Sequence, residues 1–268
     1  MMKIDSLTNQ GSNPMNEDSF IIKNNLFAVF DGATSLISYL DPSGITGGKI
    51  AADTLKEIFS LGDKSFSELS LIANNTLREK MLTAKRDITK KEELWSTTIS
   101  AIKLEEEEID CFFIGDSIIL AIYNDNICII GEQIDHDKKT LLLWKELANR
   151  GIENIRETLQ EQLVLIRRQA NISYGQLNGE PEAKNFFQSA KISRKGLRSI
   201  LVFTDGFCFP REDPNQEQDW KEFANMYLEK GLSGILSYIR NLELSDPKLW
   251  KYPRVKIHDD ATAIAIDF

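Results

Sequence analysis

The sequence predicts a layered fold in which α-helices cover β-sheets that are built mainly from antiparallel strands. Several runs of strand length are almost wholly apolar, a pattern typical of strands covered on both faces. Longer segments repeat apolar residues at helical spacing. Short polar turns separate neighbouring apolar runs, which favours antiparallel pairing over long crossovers.

The expected strands follow the apolar runs along the chain. They lie at residues 26–30, 111–114, 118–123, 127–130, 200–203 and 263–266. Residues 124–126 (Asn-Asp-Asn) predict a hairpin turn between two of these strands. The four glutamates at 105–108 predict a second tight connection, and a solvated turn is a better interpretation of them than a metal site.

The helical segments alternate with these strands. Apolar spacing predicts helices at 48–59 and 66–81, and Ser65 is expected to cap the second. Further helices are expected at 136–149, 220–229 and 232–242. Residues 153–195 mix charge with glycine and proline, so we expect an irregular insertion with short helices there that could form a flap. With no linker or repeat, the interpretation is one domain over residues 1–268.

Composition narrows the class of partner. The chain has 41 acidic and 32 basic side chains, a formal net charge of −9, which argues against nucleic acid. No stretch approaches the roughly 18 apolar residues of a membrane span, so no membrane partner is expected. Three cysteines without paired spacing indicate a reducing compartment. We therefore expect a cytoplasmic protein, and the sequence gives no sign of its oligomeric state.

Acidic residues recur at the ends of the expected strands, several of them beside a glycine. They are Glu17, Asp31, Asp116, Asp205 and Asp259. A sheet can gather such residues at one edge. Several ionised carboxylates in one cleft repel each other unless protons or cations neutralise them, so the pattern favours a site for more than one cation.

The type of ligand selects the metal. Oxygen donors without cysteine or histidine spacing favour Mg²⁺ or Mn²⁺ over structural zinc. Gly32, next to Asp31, lets the backbone approach closely enough for its carbonyl to join the coordination. Two cations about 4 Å apart can orient a phosphoryl group and offset charge on the attacking and leaving oxygens. Hydrolysis of a phosphoester is therefore the natural reaction.

The order of these motifs resembles the metal-dependent serine/threonine protein phosphatases, the type 2C or PPM-like family, in a divergent form of the bacterial type. The resemblance extends from near residue 9 to residue 268. It is carried by NEDSF at 16–20, FAVFDG at 27–32, GGKIAA at 47–52, STT at 96–98, FIGDS at 113–117, FTDGF at 203–207 and HDDAT at 258–262.

The resemblance implies an α+β fold, a four-layer α-β-β-α sandwich with two central antiparallel sheets. It also implies hydrolysis of phosphoserine and phosphothreonine by a water activated between two Mn²⁺ or Mg²⁺ ions. Asp31 would bridge both ions, with Glu17 and the Gly32 carbonyl completing one site and Asp205 with Asp259 the other. Asp31 and Asp205 are the residues tied most directly to catalysis.

Three further acidic residues have subordinate roles in this interpretation. Asp116, with Asp205, matches the residues that hold a weaker third metal in bacterial members of the family. Asp18 is interpreted as a capping or supporting carboxylate. Asp260, where relatives often have asparagine, is interpreted as support for the neighbouring ligand.

The sequence departs from the family at the residue that docks the substrate phosphate. The family places an arginine three residues before its Asn-Glu-Asp, and Asn13 stands there. Arg167 or Arg168 could substitute through bidentate binding, although a solvated surface pair is the favoured interpretation. The phosphate-binding residue is thus not identified.

The segment after Gly32 also differs. Ala33, Thr34 and Ser35 replace a glycine-rich continuation, so the loop is expected to be longer, and a histidine that some relatives use as a general acid is missing. Of the two histidines, His136 is interpreted as part of a helix start. His258 is interpreted as an ordinary histidine at a strand end, with support of Asp259 as the alternative.

Three functions remain open at this point. The leading one is a phosphoprotein phosphatase whose partner is a phosphoprotein substrate, with a cognate serine/threonine kinase as the enzyme it opposes. The second, motivated by the missing arginine, is a regulatory module that binds a phosphoprotein without turnover. The third is a metal phosphoesterase for a small molecule.

Overall fold

The computed structural model describes residues 2–33, 36–132 and 134–268. Ten strands form two antiparallel five-stranded sheets, here sheet A and sheet B. Sheet A has the order β1-β10-β9-β6-β7, with bounds Lys3–Asn9, Ala261–Asp267, Leu197–Phe203, Ile118–Tyr123 and Ile127–Ile129. Sheet B has the order β2-β3-β4-β5-β8, with bounds Ser19–Lys23, Leu26–Ala33, Ser96–Leu104, Glu108–Ile114 and Gln188–Ser193.

Six α-helices accompany the sheets in the described part of the chain. They are α1 (Gly47–Phe59), α2 (Phe66–Thr83), α3 (Lys138–Asn149), α4 (Ile155–Thr158), α5 (Gln160–Arg168) and α6 (Trp220–Leu244). Ser65 caps α2 in a reciprocal capping box with Glu68, as the sequence predicts. Gly231 interrupts α6 with a φ of 65°, which explains why two helices are predicted over this stretch.

Apolar packing arranges these elements in four layers. A central core joins the facing sides of the two sheets, with Val29, Ile102 and Phe113 from sheet B against Val202 and Ile264 from sheet A. The outer face of sheet A packs against α6, and the outer face of sheet B packs against α1 and α2. The predicted α-β-β-α sandwich is confirmed, and strands buried on both faces account for the continuous apolar runs.

Both predicted hairpin turns are present. The Tyr123 amide donates to the Asn126 carbonyl at 2.8 Å, and the Glu105 amide donates to the Glu108 carbonyl at 3.0 Å. Among the described residues, no helix is long and apolar enough to cross a bilayer.

Two of the four edge strands in the described sheets, β1 and β8, are absent from the prediction. β1 lies in the polar N-terminal segment and is mostly exposed, although it pairs with β10 along its whole length. β8 lies inside residues 153–195, where its pairing with β5 corrects the interpretation of that whole segment as an irregular insertion. Edge strands can be polar, and apolar runs therefore do not reveal them.

Candidate metal centre

Four aspartates from the two sheets line one cavity of about 1070 Å³. Asp31 lies near the end of β3 and Asp116 follows β5, both in sheet B. Asp205 follows β9 and Asp259 precedes β10, both in sheet A. The packing of the two sheets therefore brings together carboxylates that are far apart along the chain.

Close packing around three glycines fixes the local path of the chain at this cavity. A Cβ on Gly32 would come within 2.5 Å of the Glu17 carbonyl oxygen, and a Cβ on Gly206 within 2.0 Å of the Asp260 carbonyl oxygen. Gly115 has a φ of +94°, which turns the chain sharply between β5 and Asp116. The strand-end glycines thus let the acidic segments approach one another.

Asp31 and Asp205 form the electrostatic centre of this group. Burial raises the pKa of Asp31 well above its ordinary value, and the negative charges of Asp205, Asp18, Asp116 and Asp259 raise it further. Burial and then Asp259 likewise raise the pKa of Asp205, whose carboxyl group is hydrogen-bonded to that of Asp31. A cation between these carboxyl groups would offset their burial and mutual repulsion and so favour their ionised forms.

Asp18 is a buried carboxyl group behind this pair. Burial raises its pKa to about 7, against hydrogen bonds from Thr262 and Thr204 that lower it. The Thr204 hydroxyl donates to Asp18 Oδ2 at 2.9 Å, and Oδ1 has no hydrogen-bond partner among the described residues. Its position fits the supporting role that the sequence suggests.

Glu17 and Gly32 lie beside the four aspartates and are not part of the cavity lining. Glu17 is buried, and its Oε1 accepts a hydrogen bond at 2.6 Å from Thr46, the N-cap residue of α1. Asp260 accepts hydrogen bonds from the Gly11 and Glu17 amides at 2.7 and 2.8 Å. Asp260 thus fixes the backbone that carries Glu17, whereas the sequence analysis expects it to support its neighbour Asp259.

The residues fit a hard divalent cation in charge and donor type. The cavity presents carboxylate oxygens, and Asp116 Oδ1 is buried without a hydrogen-bond partner among the described residues. Within those residues, no three histidine, cysteine, aspartate or glutamate side chains already stand in a metal-holding arrangement.

Lys256, which the sequence analysis does not single out, contacts one of the four aspartates of the cavity. Lys256 Nζ lies 2.5 Å from Asp259 Oδ1. Burial lowers the pKa of Lys256, but the charges of Asp259, Asp31 and Asp205 outweigh it and raise the pKa above its ordinary value. Lysine three residues before an aspartate in a loop carries no recognisable signal, so only the structure reveals this contact.

A network of charged residues supports Asp259 from behind. The Arg240 guanidinium donates to the Asp259 carbonyl oxygen at 2.7 Å and to Glu243 Oε2 at 2.8 Å. His258 Nδ1 lies 2.7 Å from the same Glu243 oxygen. His258 is thus linked to the Asp259 backbone through Glu243 and Arg240, and its support of Asp259 stays a prediction.

The opposite wall of the cavity contains residues that the sequence places elsewhere. His136 lies one residue outside α3's N-cap, stacks on Tyr174 with ring centroids 4.1 Å apart, and has Nε2 3.9 Å from Asp116 Oδ2. The interpretation of His136 as only part of a helix start is thus too narrow. Stacking between residues 38 positions apart is invisible to local patterns.

The two candidate arginines have different environments. Arg167 lines the cavity and donates to Ser96 Oγ at 2.8 Å, so the interpretation as a surface pair is wrong for it. Arg168 is exposed and pairs with Glu92 at 2.8 Å, as a surface residue would. Asn13 also lines the cavity. The sequence analysis expects a longer loop after Gly32. Thr34 and Ser35 of this loop lie outside the described residues, and residues 36–46 are described.

Comparison with known families gives a match over most of the chain. The family model described as protein phosphatase 2C matches residues 9–237. The search of curated proteins finds no match.

Solved structures of bacterial phosphatases share the fold. The serine/threonine phosphatase PstP/Ppp of Mycobacterium tuberculosis has a TM-score of 0.61 at 15% identity, covering 100% of this chain and 98% of that one. The PstP catalytic domain in complex with two manganese ions has a TM-score of 0.60 at 15% identity, covering 99% and 97%. Stp1 of Staphylococcus aureus has a TM-score of 0.60 at 14% identity, covering 100% and 95%.

Proposed function

Because the chain belongs to the protein phosphatase 2C family, we propose that it is a Mn²⁺- or Mg²⁺-dependent phosphatase that hydrolyses phosphoserine and phosphothreonine in proteins. The observation that carries the proposal is the meeting of Asp31, Asp116, Asp205 and Asp259 in one cavity between the two sheets. Four carboxylates at this density need cations, and cations held by oxygen ligands suit phosphoryl chemistry.

The proposed ligands follow from their positions around the cavity. Asp31 is central to the acidic group and would contact both ions, with Glu17 and the Gly32 carbonyl on one side. Asp205 and Asp259 would hold the second ion, and Asp116 with Asp205 a third. When bound, the ions supply Lewis acidity toward the phosphoryl oxygens and activate water.

The remaining residues of the cavity have roles of their own in this proposal. Arg167 is the candidate for phosphate binding because a guanidinium can hold two phosphate oxygens at once and its side chain faces the cavity. Asp260 and Arg240 hold the backbone at Glu17 and Asp259, respectively. The cavity is open enough to admit a phosphorylated side chain on a protein surface. A phosphoprotein in the cytoplasm is the proposed substrate, with a serine/threonine kinase as the opposing enzyme.

The test is phosphate release from a phosphothreonine peptide with and without Mn²⁺. Asp31→Asn and Asp205→Asn should each abolish metal-dependent turnover. Asp125→Asn, in the exposed turn between β6 and β7, is the control and should retain it. Tight peptide binding by the wild type without turnover would instead favour the binding module, and turnover of small phosphoesters alone would favour the third function.

A further inference from the structure

The ammonium group of Lys256 contacts the carboxylate of Asp259, which the proposed function assigns to a metal ion. The Nζ to Oδ1 distance is 2.5 Å, and the lysine and aspartate side chains are only 23% and 33% exposed. The same Oδ1 also accepts a hydrogen bond from the Asp260 amide at 2.8 Å. An ion pair this short and this shielded is stronger than a surface pair.

The charge of Lys256 extends beyond its direct partner. Lys256 lines the same cavity as Asp31 and Asp205, so its ammonium group shares that space with their carboxyl groups as well as with Asp259. The ammonium group is thus an internal countercharge for three of the four aspartates. It performs in part the neutralisation that a second divalent cation would perform.

The loop around Lys256 is fixed, whereas the lysine side chain keeps several rotatable bonds. Arg254 pairs with the buried Asp246 at 3.0 Å and donates to the Glu243 carbonyl at 3.0 Å. His258 and Asp260 hold the other side of the loop. The backbone can therefore stay in place while the ammonium group leaves Asp259.

We propose that Lys256 is an internal cation that holds Asp259 when the second metal is absent and competes with a divalent cation for that carboxylate. The inference rests on the metal-dependent function proposed above. A metal on Asp259 must displace the ammonium group or bind beside a positive charge, and both reduce its affinity. Of the two ions that Asp31 would contact, the one on the Asp259 side therefore binds with the lower affinity.

Calorimetric titration with Mn²⁺ tests this competition without relying on turnover. Lys256→Met removes the charge and keeps a long side chain. It should tighten Mn²⁺ binding at the site that includes Asp259 by about tenfold or more. Lys256→Arg keeps the charge and should bind like the wild type. Lys251→Met is the matched control, since Lys251 is exposed and pairs with Glu212 away from the aspartates.

Nuclear magnetic resonance of lysine side chains keeps the test valid if Lys256→Met does not fold. In the wild type, diamagnetic Mg²⁺ should shift the Lys256 ammonium signal as the second site fills, with Lys256→Arg used for assignment. Identical isotherms for wild type and Lys256→Met, or an unshifted ammonium signal at saturation, would overturn the competition. Absence of turnover alongside the expected change in binding would refute only the phosphatase function.

Discussion

The carboxylate of Asp260 binds the backbone amide of Glu17, 243 residues earlier in the chain, at 2.8 Å. Its other oxygen accepts from the Gly11 amide at 2.7 Å. The Asp260 side chain thus anchors the segment that leads into β2. It joins the start of β10 in sheet A to the start of β2 in sheet B. This link holds Glu17 beside Asp31 and Gly32.

Replacement of Asp260 by alanine should destabilise the protein by roughly 2 to 5 kcal/mol, because two amides lose charge-assisted acceptors and Glu17 is buried. Asp260→Asn should cost less, since the amide oxygen can still accept one of the two bonds. Urea denaturation of the metal-free proteins measures both. Equal stability of Asp260→Ala and wild type would show that the link is not structural. Asp125→Asn, in the exposed turn between β6 and β7, provides the comparison.

The pKa of Asp18 predicts that metal-free protein loses stability as pH rises. The folded carboxyl group has a pKa of about 7, raised chiefly by burial, whereas the unfolded one titrates at its ordinary, lower value. The folded state therefore binds the proton more tightly than the unfolded state. This contribution to the free energy of unfolding is lost as pH rises from about 4 through about 7. At about 1.4 kcal/mol per pKa unit, a shift of about 3 units corresponds to a loss of about 4 kcal/mol.

Asp18→Asn removes this titration and isolates its contribution. The variant should be more stable than the wild type near neutral pH and above, with a flatter stability profile measured by urea denaturation in the presence of a chelator. The amide oxygen can still accept the hydrogen bond from Thr204. Parallel profiles for variant and wild type would contradict a raised pKa at this position.

The contrast between Arg167 and Arg168 gives a prediction about substrate binding. Arg167→Ala should raise the KM for a phosphopeptide by roughly 10- to 100-fold with a smaller effect on kcat, as for the loss of a charged hydrogen bond. Arg168→Ala should leave both constants within about twofold, since exposed pairs contribute little. Steady-state kinetics at saturating Mn²⁺ measures both variants. A larger effect from Arg168 than from Arg167 would reject this assignment.

The sequence predicts the buried elements of this protein better than its edges. The apolar strands and the helices α1 and α2 are visible because burial imposes a periodicity on them. β1 and β8 are edge strands with polar residues, and their pairing depends on partners distant in sequence. The aspartates are predictable for a related reason, since each adjoins a buried strand. The places of Lys256 and His136 in the cavity are not predictable, because loops bring them there. Arg167 is a candidate from its residue type, but the sequence does not distinguish it from Arg168.

Repulsion between Asp31 and Asp205 predicts that Asp31→Asn changes the free energy of unfolding in opposite directions without metal and with saturating Mn²⁺. Without metal, Asp31→Asn removes a group whose ionisation is easy in the unfolded chain but is disfavoured in the folded protein by burial and by four neighbouring carboxylates, so it should raise the free energy of unfolding near neutral pH. In this chain 1 kcal/mol corresponds to about 2 to 4 °C in Tm.

Saturating Mn²⁺ should reverse that order. A cation that binds only the folded wild type at about 100 times its Kd adds about 2.7 kcal/mol, and Asp31→Asn forfeits much of this gain because it lacks the central ligand. The melting curves of the two proteins should therefore cross as Mn²⁺ is added, with Asp125→Asn following the wild type throughout. A variant less stable than the wild type without metal would mean that Asp31 is held by favourable contacts. The Asp31–Asp205 pair would then not be the repulsive centre that draws in the cation.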